Sequence, residues 1–147
     1  MRFVLFVCTG NTCRSPMAET LANSFFSSGG INATAASCGV FAAADSAASP
    51  NAVLTMDSHG LCLASHKSTP LNLADVAGAH IIITMTAGHK AHLLATSPDL
   101  ASKTYTFGEL CDARDVSDPY GGDLDIYMQC AAQIKQYIEK LDWGKYL

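Results

Sequence analysis

The sequence predicts an α/β protein: a parallel sheet with helices on both faces. Three observations carry this. Short apolar runs alternate with stretches of helical period along the chain. The runs at Phe3–Val7 and 80–85 are continuously apolar, as strands buried on both faces are. No linker, repeat or low-complexity run divides the 147 residues, so residues 1–147 read as one domain with room for a real core. Such βα units cross over right-handedly, and their ligands sit beyond the carboxyl ends of the strands.

Taken in order, Arg2–Val7 is the first strand. Pro16–Ser27 is a helix with Met17, Leu21 and Phe25 on one stripe, ended by Gly29-Gly30. Ala33–Cys38 is a short second strand. Ser49-Pro50, an N-cap followed by an N1 proline, opens a helix to about Gly60. His80–Met85 is a strongly apolar third strand, and Thr86–Ala95 a helix weakened by Gly88. Lys103–Phe107 alternates and reads as a fourth strand. Leu124–Leu141 is the longest helix, with Tyr127, Cys130, Ile134, Tyr137, Ile138 and Leu141 as its buried stripe. The Ala-rich stretch Ala42–Ala48 reads as a loop on the rim of the site.

Composition narrows the function. A net charge of −4 argues against a nucleic-acid partner. No apolar run reaches a membrane span, and the N-terminus lacks a signal-peptide layout, so a cytoplasmic protein without membrane contact is expected. In that reducing setting Cys38, Cys62, Cys111 and Cys130 read as buried small hydrophobes rather than disulfide partners. No C-x2-C pair exists, and His89 and His92, three apart on a helix, read as a solvated face; no metal or other cofactor is expected.

The chemistry concentrates between the first strand and the first helix, in Cys8-Thr9-Gly10-Asn11-Thr12-Cys13-Arg14-Ser15. A tight strand-to-helix loop aims backbone N–H groups at one spot in front of a helix N-terminus, which suits a doubly charged anion. The same field suits a thiolate nucleophile at Cys8, which would attack phosphorus and form a phosphocysteine. Arg14 would grip two phosphate oxygens with its planar fork. Gly10 lets the backbone approach the anion, and Asn11 tolerates a left-handed conformation. Ser15 could donate to the Cys8 sulfur. The reaction also needs an acid to protonate the departing atom and then to activate water. The loop before the last helix offers Asp112, Asp115, Asp118, Asp123 and Asp125, of which Asp123 or Asp125 fits a helix cap. The residues alone leave the acid open among them.

The segment Val7-Cys8-Thr9-Gly10-Asn11-Thr12-Cys13-Arg14-Ser15-Pro16-Met17-Ala18-Glu19, together with Asp118-Pro119, resembles the signature of the low-molecular-weight protein tyrosine phosphatase family. The resemblance spans the chain. It implies a flavodoxin-like, phosphotyrosine phosphatase I fold with strand order 2-1-3-4. It implies a metal-independent protein phosphatase with Cys8, Arg14 and Asp118 as its catalytic residues. Thr9, Gly10, Asn11, Thr12, Cys13 and Ser15 would complete the phosphate-binding loop. It also implies that Ser37 and His66 support Asn11, and that Cys13 can trap an oxidised Cys8 as a disulfide. Expected partners are phosphorylated proteins, with inorganic phosphate or other oxyanions as inhibitors.

Thr12 stands where tyrosine-specific members carry a branched aliphatic residue. Within the family this loop, with Asp118-Pro119-Tyr120-Gly121-Gly122 downstream, is similar to that of the bacterial protein arginine phosphatases. A threonine rim is more polar and smaller at its tip, so it crowds a planar guanidinium less. Tyr120 can stack on guanidinium or phenol alike, and Gly121 leaves out a second aromatic wall. Phosphoarginine is therefore the expected substrate, with phosphotyrosine the alternative. An arsenate reductase on this fold ranks lower, because residues 63 to 110 hold no further cysteine. So does a non-catalytic phosphate binder or thiol sensor, which has no need of Cys8, Arg14 and Asp118 together.

Overall fold

A computed structural model describes residues 1–147. Strand β1 (Arg2–Cys8) lies in the middle of a four-stranded sheet of order β2-β1-β3-β4. It pairs in parallel with β2 (Ala33–Gly39) from Arg2 opposite Ala33 to Cys8 opposite Gly39, and with β3 (Ile81–Thr84) from Val4 opposite Ile81. Strand β4 (Thr104–Thr106) pairs with β3 on its outer side, Ile82 opposite Thr104. All pairs are parallel, so every carboxyl end points the same way and the loop after Cys8 opens at that edge.

The continuous apolar run of β1 is explained by burial on both faces. Val4, Phe6 and Cys8 enter the larger core, with helices α1 (Arg14–Gly29), α2 (Pro50–Ser58) and α6 (Leu124–Lys140). Leu5 and Val7 enter a smaller core with Val76 of α3 (Leu73–Gly78), Leu93 of α4 (Ala87–Thr96) and Leu100. On α6 the stripe Tyr127, Cys130, Ile134, Tyr137, Ile138 and Leu141 is buried throughout.

Several boundaries differ from the sequence expectation. Helix α1 begins at Arg14, two residues before Pro16, because Pro16 occupies the first turn, where a missing N–H costs nothing. Arg14 thereby becomes part of a rigid helix rather than of the loop. At the other end Phe26, not Phe25, is the buried aromatic. It packs edge-on at 4.8 Å against Trp143 of α7 (Trp143–Tyr146), a short helix the periodicity did not suggest. Strand β4 stops at Thr106, whose hydroxyl accepts from Glu109 N–H and starts helix α5 (Phe107–Cys111). Helix α3, a 3-10 turn at Pro98–Lys103, α5 and α7 have four to six residues each, too few to show a period.

Cys62 is exposed, contrary to expectation: it follows the turn that ends α2, in a segment where the next residue, Leu63, is the buried one. All six cysteines are unpaired. Ala42–Ala48 forms a loop, but it is tied to residues 67–68 through Asp45 N–H to Ser68 O at 2.8 Å and an Ala47–Lys67 bridge. It supplies no wall to the cavity described below. No helix is long and apolar enough to cross a membrane.

Candidate active site

The loop between β1 and α1 bends through Asn11, whose φ of 57° is left-handed. A non-glycine residue holds that conformation at a cost of about 1–2 kcal/mol, which its surroundings offset. Asn11 is fully buried. Its Nδ2 donates to Ser15 Oγ at 2.8 Å and to Ser37 Oγ at 2.9 Å, and its Oδ1 accepts from Thr69 N–H at 2.8 Å. Its main-chain carbonyl accepts from His66 Nε2 at 2.8 Å. Ser37 and His66 thus both touch Asn11, one at its side chain and one at its backbone. Ser37 in turn donates to Glu19 Oε1 at 2.8 Å, and burial pushes the Glu19 carboxyl above its usual range.

Behind the loop, β2 must come very close. A Cβ on Gly39 would fall on the Thr9 carbonyl and lie 2.9 Å from Asn11 N, so only glycine fits there. The following residues then lock the loop: Val40 and Phe41 N–H donate to the Cys8 and Thr9 carbonyls, each at 2.9 Å. Gly10 is not required by any protein atom, since a Cβ would meet only Thr12 Oγ1 at 3.8 Å.

Cys8, Thr9, Gly10, Thr12, Cys13, Arg14, Asp118 and Tyr120 line one cavity of about 230 Å³. At its floor the Cys8 sulfur lies 2.8 Å from Ser15 Oγ. Arg14 is 5% exposed, with one guanidinium nitrogen donating to Val116 O at 3.0 Å and the other 3.6 Å from Asp118 Oδ2. Asp118 itself is half exposed, and its Oδ1 accepts from Tyr120 N–H at 3.0 Å. The remaining aspartates have other partners or places. Asp115 accepts from Ala87 N–H, Asp123 caps α6, Asp112 ends α5 and Asp125 sits in the first turn of α6. Of the five, only Asp118 borders the cavity. Asn11 and Ser15 are fully buried and do not line the cavity, while Ser37 and His66 bond to Asn11 from outside the loop.

Two sets of contacts beside the cavity were not foreseen from the sequence. Cys13 Sγ lies 3.0 Å from Ser49 Oγ and 3.3 Å from Tyr127 OH. Ser49 is therefore at the N-cap position of α2 but spends its hydroxyl on the thiol rather than on the helix. Burial raises the Tyr127 phenol to about 12. The second involves His89, expected on a solvated face. It is buried, and its Nε2 lies 2.8 Å from Thr9 Oγ1, because α4 starts at the carboxyl edge of β3 and aims its first turn at the loop. Only His92 remains exposed, edge-on to Phe41. The usable signal was position, since a histidine just after a parallel strand lies on the ligand side of the sheet.

The sequence profile described as low molecular weight phosphotyrosine protein phosphatase matches residues 3–144. The chain belongs to that family. Like its relatives, this low molecular weight phosphatase is a cysteine-dependent, metal-independent protein phosphatase. It is 36% identical to the protein-arginine-phosphatase of Bacillus subtilis (strain 168), over 94% of this chain and 93% of that one. A low molecular weight protein tyrosine phosphatase from T. tengcongensis superposes with a TM-score of 0.93, at 37% identity and with all of both chains covered. A structure of the YwlE arginine phosphatase, with its active-site cysteine replaced by a phosphorylated serine, superposes at 0.90, with 35% identity over 94% of this chain and 91% of that one. The phosphatase described here therefore has both arginine- and tyrosine-phosphatase relatives, on the same sheet order.

Proposed function

We propose that this phosphatase hydrolyses phosphoarginine in proteins. The Cys8 sulfur attacks phosphorus as the P–N bond breaks, and Asp118 protonates the departing guanidinium nitrogen. Water then attacks the phosphocysteine, Asp118 takes its proton, and Cys8 leaves as thiolate with Ser15 donating to it. Arg14 holds the phosphoryl oxygens through the transfer, and the loop N–H groups of residues 9–14 donate to them and stabilise the remaining charge. We place this activity in the cytoplasm, in keeping with six unpaired cysteines.

The observation that carries the substrate is Thr12, whose side chain forms part of the cavity wall. It offers a small polar edge where a bulkier apolar one would favour a phenol ring. The identity to an arginine phosphatase supports the same reading. Gly121 adds nothing to it, because its φ of 80° in the turn closed by Gly122 N–H to Pro119 O calls for glycine regardless of substrate. Phosphotyrosine is the second reading. Tyr120, 76% exposed at the cavity mouth, can stack on a phenol.

Turnover of phosphoarginine and phosphotyrosine peptides side by side tests the choice. The wild type should prefer phosphoarginine. Thr12→Ile should shift the ratio of kcat/KM values toward phosphotyrosine by roughly ten-fold, the worth of a pocket methyl group. A wild type preferring phosphotyrosine, indifferent to Thr12→Ile, returns the protein to tyrosine. Cys8→Ser should end turnover on both while still binding phosphate or vanadate.

A further inference from the structure

We propose that His89 is a positioning residue for phosphate: as its Nε2–H tautomer it donates to Thr9 Oγ1 and leaves the Thr9 hydroxyl proton free to face the cavity. The inference rests on the phosphatase reading of the Cys8 cavity and adds to it a residue from outside the loop.

His89 lies in the first turn of α4 and is 7% exposed. Its Nε2 is 2.8 Å from Thr9 Oγ1, whereas its Nδ1 is buried without a hydrogen-bond partner. A neutral imidazole carries one proton. If Nδ1 held it, a buried N–H would go unpaired, a rarer and costlier arrangement than a buried acceptor left unfilled. With the proton on Nε2, the ring is a donor to Thr9. Arg14 donates to the same oxygen from 3.5 Å, a weaker contact. A hydroxyl oxygen has two lone pairs and one proton. Both lone pairs of Thr9 are then in use, and its proton has no protein acceptor to satisfy. Thr9 lines the cavity beside Cys8 and Arg14, so a bound phosphate oxygen is the acceptor within its reach. The opposite tautomer would draw the Thr9 proton back toward the ring and away from the cavity.

The imidazole stays neutral in this setting. Burial first, then the Arg14 charge, lower it from 6.5 to about 4; Asp118 and Asp115 pull the other way and His92 adds to Arg14. The device is thus a fixed donor, not a switch, and works the same way across neutral pH.

The test compares wild type, His89→Leu and His89→Gln. It measures KM and kcat on an aryl phosphate, inhibition by inorganic phosphate, and Tm. A hydroxyl-to-phosphate bond acts on ground and transition states alike, so its loss should appear in binding more than in kcat. His89→Leu should raise both KM and the phosphate inhibition constant by about 10–100-fold, the usual worth of a hydrogen bond to a charged group. Its Tm shows whether the fold is kept. His89→Gln, whose amide nitrogen can reach Thr9, should recover binding to within a few-fold. Nitrogen NMR of the wild-type imidazole should find Nδ1 bare. A proton on Nδ1, or wild-type binding constants in His89→Leu, would overturn the proposal. Should His89→Leu not fold, the NMR result and the glutamine variant decide. Turnover in the wild type with an indifferent His89→Leu overturns this inference alone. A wild type with neither turnover nor phosphate inhibition overturns the site reading as well.

Discussion

Ser15 Oγ lies 2.8 Å from the Cys8 sulfur while accepting from Asn11 Nδ2 at 2.8 Å. Its proton has two acceptors in reach, the sulfur and the Cys38 carbonyl at 3.4 Å, and the much shorter approach favours the sulfur. That donor matters most when the sulfur departs as an anion from phosphocysteine. Ser15→Ala should therefore slow the second step more than the first, by about 10–100-fold for a hydrogen bond to a charged group. Rapid mixing with an activated aryl phosphate should reveal a burst followed by a slow steady state. Equal slowing of burst and steady state would count against the assignment.

Asp118 stands half exposed at the mouth, 3.6 Å from the buried Arg14 guanidinium. As the proposed proton source it should matter only where the leaving group needs a proton. Asp118→Asn should cost about 10²–10⁴-fold on substrates with poor leaving groups and far less on activated aryl phosphates. A leaving-group series measures this. Equal losses across it would point to a positioning effect through Arg14.

Gly39 permits the approach of β2 to the loop. In Gly39→Ala the new methyl group meets backbone atoms of Thr9 and Asn11, which cannot swing aside as a side chain would. We expect a loss of about 2 kcal/mol or more in stability and weakened phosphate binding together. Thermal melting with and without phosphate checks both; an unchanged protein would show that the loop has slack.

Cys13 must leave Ser49 and Tyr127 to meet Cys8. Mild peroxide should nonetheless inactivate the enzyme reversibly through a Cys8–Cys13 disulfide, since no other thiol borders the cavity. Peptide mapping of the oxidised protein reads the linkage. Overoxidised Cys8 with Cys13 still free would reject it.

The buried His89 also predicts a pH dependence of stability. Its imidazole is held at about 4 in the fold against 6.5 ordinarily. Between those values the unfolded chain binds the proton and the folded one does not, so stability falls as pH falls from about 6.5 toward 4, on the order of 2–3 kcal/mol. Glu19, raised by burial, works oppositely: the folded state holds its proton longer, so that contribution is lost as pH rises above 4.5. The difference between wild type and His89→Leu across this range isolates the histidine. Parallel curves for the two proteins would contradict its burial as a neutral base.

Local pattern was enough for β1, the long helix α6 and the loop between Cys8 and Arg14. Each rests on interactions between near neighbours in sequence: a continuous apolar run, a 3.6-residue stripe, a tight turn entering a helix. The same holds for the thiol and the guanidinium, which a single turn brings to one place. What local pattern could not supply was the identity of everything that reaches this loop from elsewhere. The residues by themselves left the acid open among five loop aspartates, only the family resemblance singled out Asp118, and the chain path puts Asp118 alone of the five at the cavity. His89 looked like a surface residue until α4 docked its first turn on Thr9. Gly39 carried no motif, because its need for a missing side chain comes from a backbone nearly thirty positions earlier in the chain. The short helices α3, α5 and α7 form for a related reason: they are too brief to be stable by propensity, and packing onto the finished core holds them. Near-neighbour chemistry put Cys8 and Arg14 at one place, and long-range packing brought Asp118 to the same cavity and Ser37 and His66 to Asn11.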